Sequence, residues 1–287
     1  MAKQNSTVLI TGAKGFIGKH LLNRLQNKPG FKLKTFDIND GDVATHEFSF
    51  DTLDHIIHLA GKTYVPLSWE DPYSFYKTNY LGTLNILEQC RKYNASLTYI
   101  SAYVYGTPEY LPIDENHPLK AANPYMDSKI ATESLCRFYA ENYNIPITII
   151  RPFNVFGPGQ SDIFLIPKII KQVLSDSPEI SVFSLDPKRD FVYVDDLVDA
   201  IIRTIDKKFT FEILNVGSGV SYSVEAIINA CLKIANVQKP ILCEHNERKN
   251  EINDVFANVE KAKKLLNWFP TTSFEEGLKM IIDNEKM

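Results

Sequence analysis

The chain has 287 residues, enough for one large α/β domain or a main domain with a smaller one attached. Hydrophobic residues make up 44% and charged residues 23%, the balance of a soluble globular protein able to bury a sizeable core. The net charge of −4 excludes a global positive field that recruits nucleic acid, so an anionic substrate must be held by local cations.

In chain order, Thr7–Thr11 reads as a strand, Phe16–Asn27 as a helix and Leu33–Asp37 as a second strand. His55–Ala60 is a third strand, followed by a helix over about Asp71–Tyr93. Leu97–Ser101 reads as a strand, Pro124–Asn142 as a helix and Ile147–Arg151 as a strand. Short apolar strands separated by helices imply a parallel, doubly wound sheet of the Rossmann type. After Arg151 the pattern loosens, with Pro152, Gly157, Pro158 and Gly159 close together. Helices at about Pro167–Leu174 and Asp195–Ile205 and a strand at Glu212–Val216 follow. A helix at Val224–Ala235, a strand near Ile241 and helices at Val259–Leu266 and Phe274–Asn284 close the chain. This places a cofactor-binding domain at 1–152 and a smaller C-terminal substrate-binding lobe at 153–287, with the chain free to cross back to the sheet.

No apolar run approaches the roughly 18 residues needed to span a bilayer. The start, MAKQNSTVLI, carries no signal-peptide core. Cys90, Cys136, Cys231 and Cys243 show no CxxC pairing and are expected as buried reduced thiols. A cytoplasmic protein with no metal site and no membrane partner is therefore expected.

The segment VLITGAKGFIG sets Gly12, Gly15 and Gly18 between a strand and a helix, with Phe16 and Ile17 inside the turn. The first glycine permits a tight turn, the second lets backbone approach a pyrophosphate, and the third allows close packing. The helix N-terminus then offers N–H groups and positive dipole to phosphate. Asp37, ending the second strand, suits both ribose hydroxyls of NAD and would repel the 2′-phosphate of NADP. No arginine or lysine follows it immediately, so NAD(H) is the expected cofactor.

Tyr125 and Lys129 stand four apart in NPYMDSKIATE, on one face of a helix. An ammonium beside a phenol favours phenolate and lowers a pKa of about 10. Tyr125 is therefore a candidate acid/base for hydride chemistry, and Lys129 a holder of the nicotinamide ribose. Ser101 ends the strand LTYIS at the same carboxyl edge, where its hydroxyl would polarise the reacting oxygen.

With TGAKGFIG, HLAG at 58–61, NYLGT at 79–83, SAYVYG at 101–106, YMDSK, RPFNVFGPGQ and RDFVYVDD, the chain resembles the extended short-chain dehydrogenase/reductases that modify nucleotide sugars. The resemblance implies Asp42 and Val43 beside the adenine, Leu59, Ala60 and Gly61 along the cofactor, and Asn79 near its binding face. It implies Pro152 after the strand under the nicotinamide. Asn154, Arg189 and Arg248 fall where family members hold the sugar nucleotide and its diphosphate, a role that suits arginine forks. A homodimer through the helices at Asp71–Tyr93 and Pro124–Asn142 is implied too, although Tyr73, Tyr76 and Tyr80 could equally face the core. Trp69 and Trp268 read as packing residues.

A 4,6-dehydratase of this family carries an Asp-Glu pair after the hydroxyl residue. Ala102 and Tyr103, the substrate-side neighbours of Ser101, stand there instead. Reductase and 4-epimerase share the Ser/Tyr/Lys group. Only sixteen residues separate Asp37 from Asp54, too few for extra helices around the adenine. A less enclosed cofactor suits exchange of NADH at each turnover. TYVPLSWEDP and GPGQSDIFLIP also resemble the matching stretches of GDP-4-keto-6-deoxy-mannose reductases. A reductase of a nucleotide 4-keto-6-deoxyhexose is thus expected first and a 4-epimerase second. A non-catalytic NAD-sensing regulator is the alternative of another class.

Overall fold

The computed structural model describes residues 5–26, 28–207, 209–244 and 252–286. Six parallel strands form the main sheet: β1 (Ser6–Thr11), β2 (Phe31–Phe36), β3 (His55–His58), β4 (Ser96–Ile100), β5 (Ile147–Pro152) and, far along the chain, Phe211–Val216. Their order is β2-β1-β3-β4-β5 and then the 211–216 strand. Every residue of β3, β4 and β5 is buried, as expected of strands covered on both faces.

Alternation along the strands divides the core. Val8, Ile10, Ile57, Ile100 and Ile150 face one way, under α1 (Phe16–Leu25). Leu9, Ile56, Leu97, Ile147 and Ile149 face the other way. This second face is covered by Ile86, Leu87 and Cys90, and by Cys136, Tyr139 and Ala140.

The helix expected over Asp71–Tyr93 is broken. A short α2 (Val65–Glu70) precedes α3 (Pro72–Phe75), a π-helical turn spans Tyr76–Leu81, and α4 (Gly82–Tyr93) continues. Pro72 lacks an N–H and Asp71 caps Ser74 N, so a helix starts there. The long α5 (Pro124–Tyr143) starts on Pro124, with Asn123 accepting from Met126 N at 2.9 Å.

Beyond Pro152 the chain forms β6 (Asn154–Phe156), α6 (Leu165–Leu174), β7 (Ile180–Val182) and β8 (Lys188–Tyr193). It returns to the main sheet as α7 (Val194–Ile205) and β9 (Phe211–Val216), the sixth strand. It departs again as β10 (Ser221–Ser223), α8 (Val224–Ala235) and β11 (Ile241–Cys243), and ends with α9 (Glu260–Leu266) and α10 (Phe274–Glu285). The small sheet β10-β8-β6 and the pair β11-β7 build a second core with α6, α8 and α10. Asp190 pins the two parts together. Its buried carboxylate accepts from Ser218 N, Ser218 Oγ, Gly219 N and Ala257 N at 2.6–3.0 Å.

Of the two tryptophans, Trp268 is fully buried and donates Nε1–H to Asp196 O at 2.9 Å. Trp69 departs from expectation: it is 65% exposed, because the short α2 turns it outward. Cys90, Cys136 and Cys231 are buried, and burial pushes their thiols up. The four cysteines form no disulfide. No helix among the described residues is long and apolar enough to cross a membrane.

Candidate active site

The carboxyl ends of β1 and β3 flank the point where strand order reverses, which in open α/β sheets is where ligands bind, and those of β4 and β5 continue the same edge. Gly12 there has φ +69°, and a Cβ on it would stand 2.7 Å from Ala60 N. The glycine loop and the Leu59–Gly61 segment are thus in backbone contact. Gly15 is the N-cap of α1 and offers no side-chain cap, so the first-turn N–H groups point outward beside Phe16 and Ile17. A Cβ on Gly18 would lie 2.3 Å from Gly12 O. This third glycine therefore packs the helix onto its own loop rather than onto the strand.

Asp37 leans against the same loop. Its Oδ2 accepts from Lys14 N at 2.8 Å and its Oδ1 from Ile38 N at 2.9 Å. Asp42 accepts from Ala44 N at 2.9 Å and pairs with Lys77 Nζ at 2.6 Å, and Lys77 holds its carboxyl low. Val43 is buried with Phe36 and Phe48 and offers a ligand little beyond its backbone.

The π-helical turn delivers Asn79 to the centre. Asn79 Oδ1 accepts from Lys62 N at 2.9 Å, and Nδ2 donates to Ser128 Oγ at 3.0 Å. A Cβ on Gly61 would meet Asn79 Oδ1 at 3.0 Å and Lys129 Nζ at 3.6 Å. Gly61, Asn79 and Lys129 are therefore brought together around one narrow space. His58 is buried behind them, between Thr11 Oγ1 at 2.6 Å and Thr83 Oγ1 at 3.1 Å. Burial, followed by the Lys129 charge, pushes it down to about 3, so it is neutral at ordinary pH.

Lys129 Nζ donates to Ile100 O at 2.9 Å and sits 4.8 Å above the Tyr99 ring. Burial pushes this ammonium down to about 8, with Glu133 and Cys136 opposing. Tyr125 meets Phe75 edge-on at 6.3 Å, and its hydroxyl has no hydrogen-bond partner among the described residues. Burial pushes its phenol up. This corrects the expected lowering by Lys129: the ammonium is engaged with Ile100 O, and desolvation alone governs the phenol here.

Ser101 is 4% exposed, and its Oγ donates to Glu133 Oε1 at 2.5 Å. Glu133 is in turn forked by Arg151, with Nε at 3.0 Å from Oε1 and Nη2 at 2.5 Å from Oε2. Sequence reasoning missed this pair. The available signal was spacing: Glu133 lies four residues after Lys129, on the same helical face.

On the other side of Ser101, Ala102 is buried and Tyr103 is half-buried, its hydroxyl donating to Gly106 O. Burial pushes Tyr103 up to about 12, against the charge of Arg189. Asn154 is exposed at the start of β6 and donates to Asp190 O at 3.0 Å. Arg189 on β8 donates to Lys188 O and Ile252 O at 2.8 and 2.6 Å. Pro152 ends β5 opposite Val216. Arg248 lies outside the described residues.

One further contact ties α1 to α7 and to the loop after β6. His20 Nδ1 lies 2.9 Å from Asp195 Oδ1, and Nε2 lies 3.0 Å from Pro158 O. Both partners are acceptors, so both ring nitrogens must donate and the imidazolium is the form that fits. The Asp195 hydrogen bond raises its pKa, with burial opposing. A raised folded value gives stability that is complete below the unfolded pKa and is lost as pH rises through the folded one. Melting temperature is expected to fall by about 2 °C across that window, a drop that disappears in His20→Gln. An equal drop in the variant would refute the charged form.

A Rossmann-type sheet, a glycine loop on an uncapped helix and a Tyr/Lys pair at the strand ends define a nicotinamide-dependent oxidoreductase of the short-chain type. Residues 8–217 match the family model described as "NAD dependent epimerase/dehydratase family", and the chain belongs to that family. Its cofactor is accordingly NAD(H). It is 33% identical to GDP-6-deoxy-D-talose 4-dehydrogenase from Aggregatibacter actinomycetemcomitans, over 91% of this chain and 90% of that protein. RMD from Pseudomonas aeruginosa, solved with NADPH, superposes with a TM-score of 0.89 at 30% identity, covering 97% of this chain and 98% of that one. UDP-glucuronic acid 4-epimerase from Bacillus cereus, solved with UDP-glucuronic acid and NAD, gives 0.87 at 26% identity, over 98% and 99%.

Proposed function

We propose that this protein is an NAD(H)-dependent oxidoreductase acting at C4 of a nucleotide-linked hexose, and that it reduces a nucleotide 4-keto-6-deoxyhexose. The observation that carries this reading is the face of α5, which sets Lys129, one turn after Tyr125, on the end of β4 and against Gly61, whose segment touches the glycine loop. The cradle suits the cofactor: Gly12, Gly15, Phe16, Ile17 and Gly18 would hold the pyrophosphate, and Asp37 the adenosine ribose. Asp42 and Val43 would border the adenine. Leu59, Ala60, Gly61, Asn79 and Pro152 would line the path to the nicotinamide.

The nicotinamide, when bound, supplies the hydride. Tyr125 gives its phenolic proton to the C4 oxygen as the ketone becomes an alcohol, and Lys129 would hold the nicotinamide ribose. Ser101 borders the same oxygen. Ala102, Tyr103, Asn154 and Arg189, with Arg248, would hold the sugar and its diphosphate. No helix forms within residues 41–54, and Ile38 beside Asp37 is 77% exposed, an adenine side that suits cofactor exchange. We further propose a cytoplasmic homodimer built on the α3–α4 stretch and α5, where Tyr73 on α3 is 74% and Phe138 on α5 53% exposed. A 4-epimerase is the second reading, favoured by the likeness to the B. cereus enzyme.

The test is a panel of UDP- and GDP-linked sugars with and without NADH, followed by absorbance and product NMR. NADH consumption that requires a 4-keto sugar is expected. Interconversion of UDP-sugars with NAD retained through purification would instead establish the epimerase. NAD binding with no turnover of any sugar nucleotide would overturn both.

A further inference from the structure

Tyr125, Lys129 and Glu133 recur every four residues along α5 and face the end of β4. The first two have roles in the reading above, and the third is a buried carboxylate with no assigned purpose. Its surroundings are specific. Arg151 is 2% exposed and Glu133 5%, and the guanidinium occupies both carboxylate oxygens. Arg151 Nη1 also donates to Tyr105 Oη at 2.9 Å, and Tyr105 donates onward to Asn215 Oδ1 at 2.5 Å. The fork, carried by β5, is therefore braced through Tyr105 in the segment after β4 and Asn215 on β9, and has little freedom to turn. The remaining capacity of Glu133 Oε1 receives the Ser101 hydroxyl at 2.5 Å.

A carboxylate can only accept, so the donor in that contact is Ser101. A serine hydroxyl has one hydrogen. If that hydrogen is held by Glu133, Ser101 has only lone pairs to offer any other neighbour.

We propose that Glu133 is a positioning residue whose carboxylate, locked by Arg151, turns the Ser101 proton into the protein and leaves Ser101 as a hydrogen-bond acceptor toward the sugar. Ser101 then grips the C4 hydroxyl of the alcohol form and contributes little to the ketone, whose oxygen relies on Tyr125. This reverses the donor role that sequence alone suggests for Ser101. It rests on the reading that Ser101 borders the C4 oxygen. Glu133 has a second effect on the same site, because its charge opposes the burial of the Lys129 ammonium. The groups facing that ammonium are Glu133 and Cys136 on its own helix, Tyr99 on β4 and His58 on β3, with Arg151 on β5 behind Glu133.

The experiment is a double-mutant cycle of Glu133→Gln with Ser101→Ala, assayed on UDP-glucose or GDP-4-keto-6-deoxymannose, whichever the protein converts. Glu133→Gln is expected to weaken binding of the alcohol form on the order of 10-fold and to have almost no further effect once Ser101 is alanine. Additive losses would overturn the proposal. The alkaline limb of the pH–kcat/KM profile is expected to move to lower pH in Glu133→Gln and to stay in place in Ser101→Ala. A limb unmoved in both would reduce Glu133 to a structural residue. Arg151→Lys retains a positive partner but loses the fork, so it serves if Glu133→Gln does not fold. It should show the same dependence on Ser101, and independence would refute the lock. Tyr125→Phe, run alongside, separates the two ideas: normal turnover there defeats the catalytic reading, whereas an inactive Tyr125→Phe with an additive cycle defeats only the role of Glu133.

Discussion

Tyr125→Phe is expected to lower kcat by about 10²-fold or more while the protein still folds and still binds NAD. The phenolic oxygen makes no hydrogen bond among the described residues, so its removal breaks nothing in the resting structure. The ring keeps its edge contact with Phe75 at 6.3 Å. Burial pushes the phenol up, so in the resting site the group is protonated and ready to donate. Turnover near the unsubstituted level, measured on whichever sugar nucleotide the panel identifies, would remove Tyr125 from the chemistry. His58 would not replace it, since it is buried, neutral and bonded on both nitrogens.

The largest expected loss of stability comes from Arg151→Met. Breaking a buried ion pair by removing one partner costs about 3–5 kcal/mol, because the other charge is left without compensation. Glu133 would keep only the Ser101 hydroxyl, and Tyr105 would lose its donor. Urea unfolding should show the midpoint falling accordingly. Replacing both partners, as Glu133→Leu with Arg151→Met, should recover much of that loss, since a well-packed apolar pair avoids the desolvation of two charges. A single substitution costing less than about 1 kcal/mol would show that the charge is relieved by some other route.

The glycine loop and the strand alternation were legible because each answers to local rules. Gly12, Gly15 and Gly18 sit where a strand meets a helix, and the buried runs in β3, β4 and β5 admit no amphipathic reading. Tyr125 and Lys129 could be paired because a helix converts spacing into geometry. Other features were hidden for physical reasons. The π-helical turn at Tyr76–Leu81 carries no residue signature, yet it aims Asn79. Strands of three residues such as β6 and β10 are too short for a period to show. The Ser101–Glu133–Arg151 cluster joins β4, α5 and β5, and no local pattern reports which side chains meet across three elements. Asp190 reads as one more acidic residue until the backbone of 218–219 and Ala257 folds around it.

The return of the chain to the main sheet as α7 and β9, its departure through β10, α8 and β11, and its further return as α9 have a consequence for recombination. No single crossover point divides the part that grips the cofactor from the part around the small sheet. A hybrid made by joining one relative's front half to another's back half would split the β5–β9 pairing between two parents, strand against unmatched strand. Exchange of the small-sheet face alone requires several inserted segments, each re-entering the same scaffold. Such a gene changes its outer face more readily by scattered point substitution than by trading blocks.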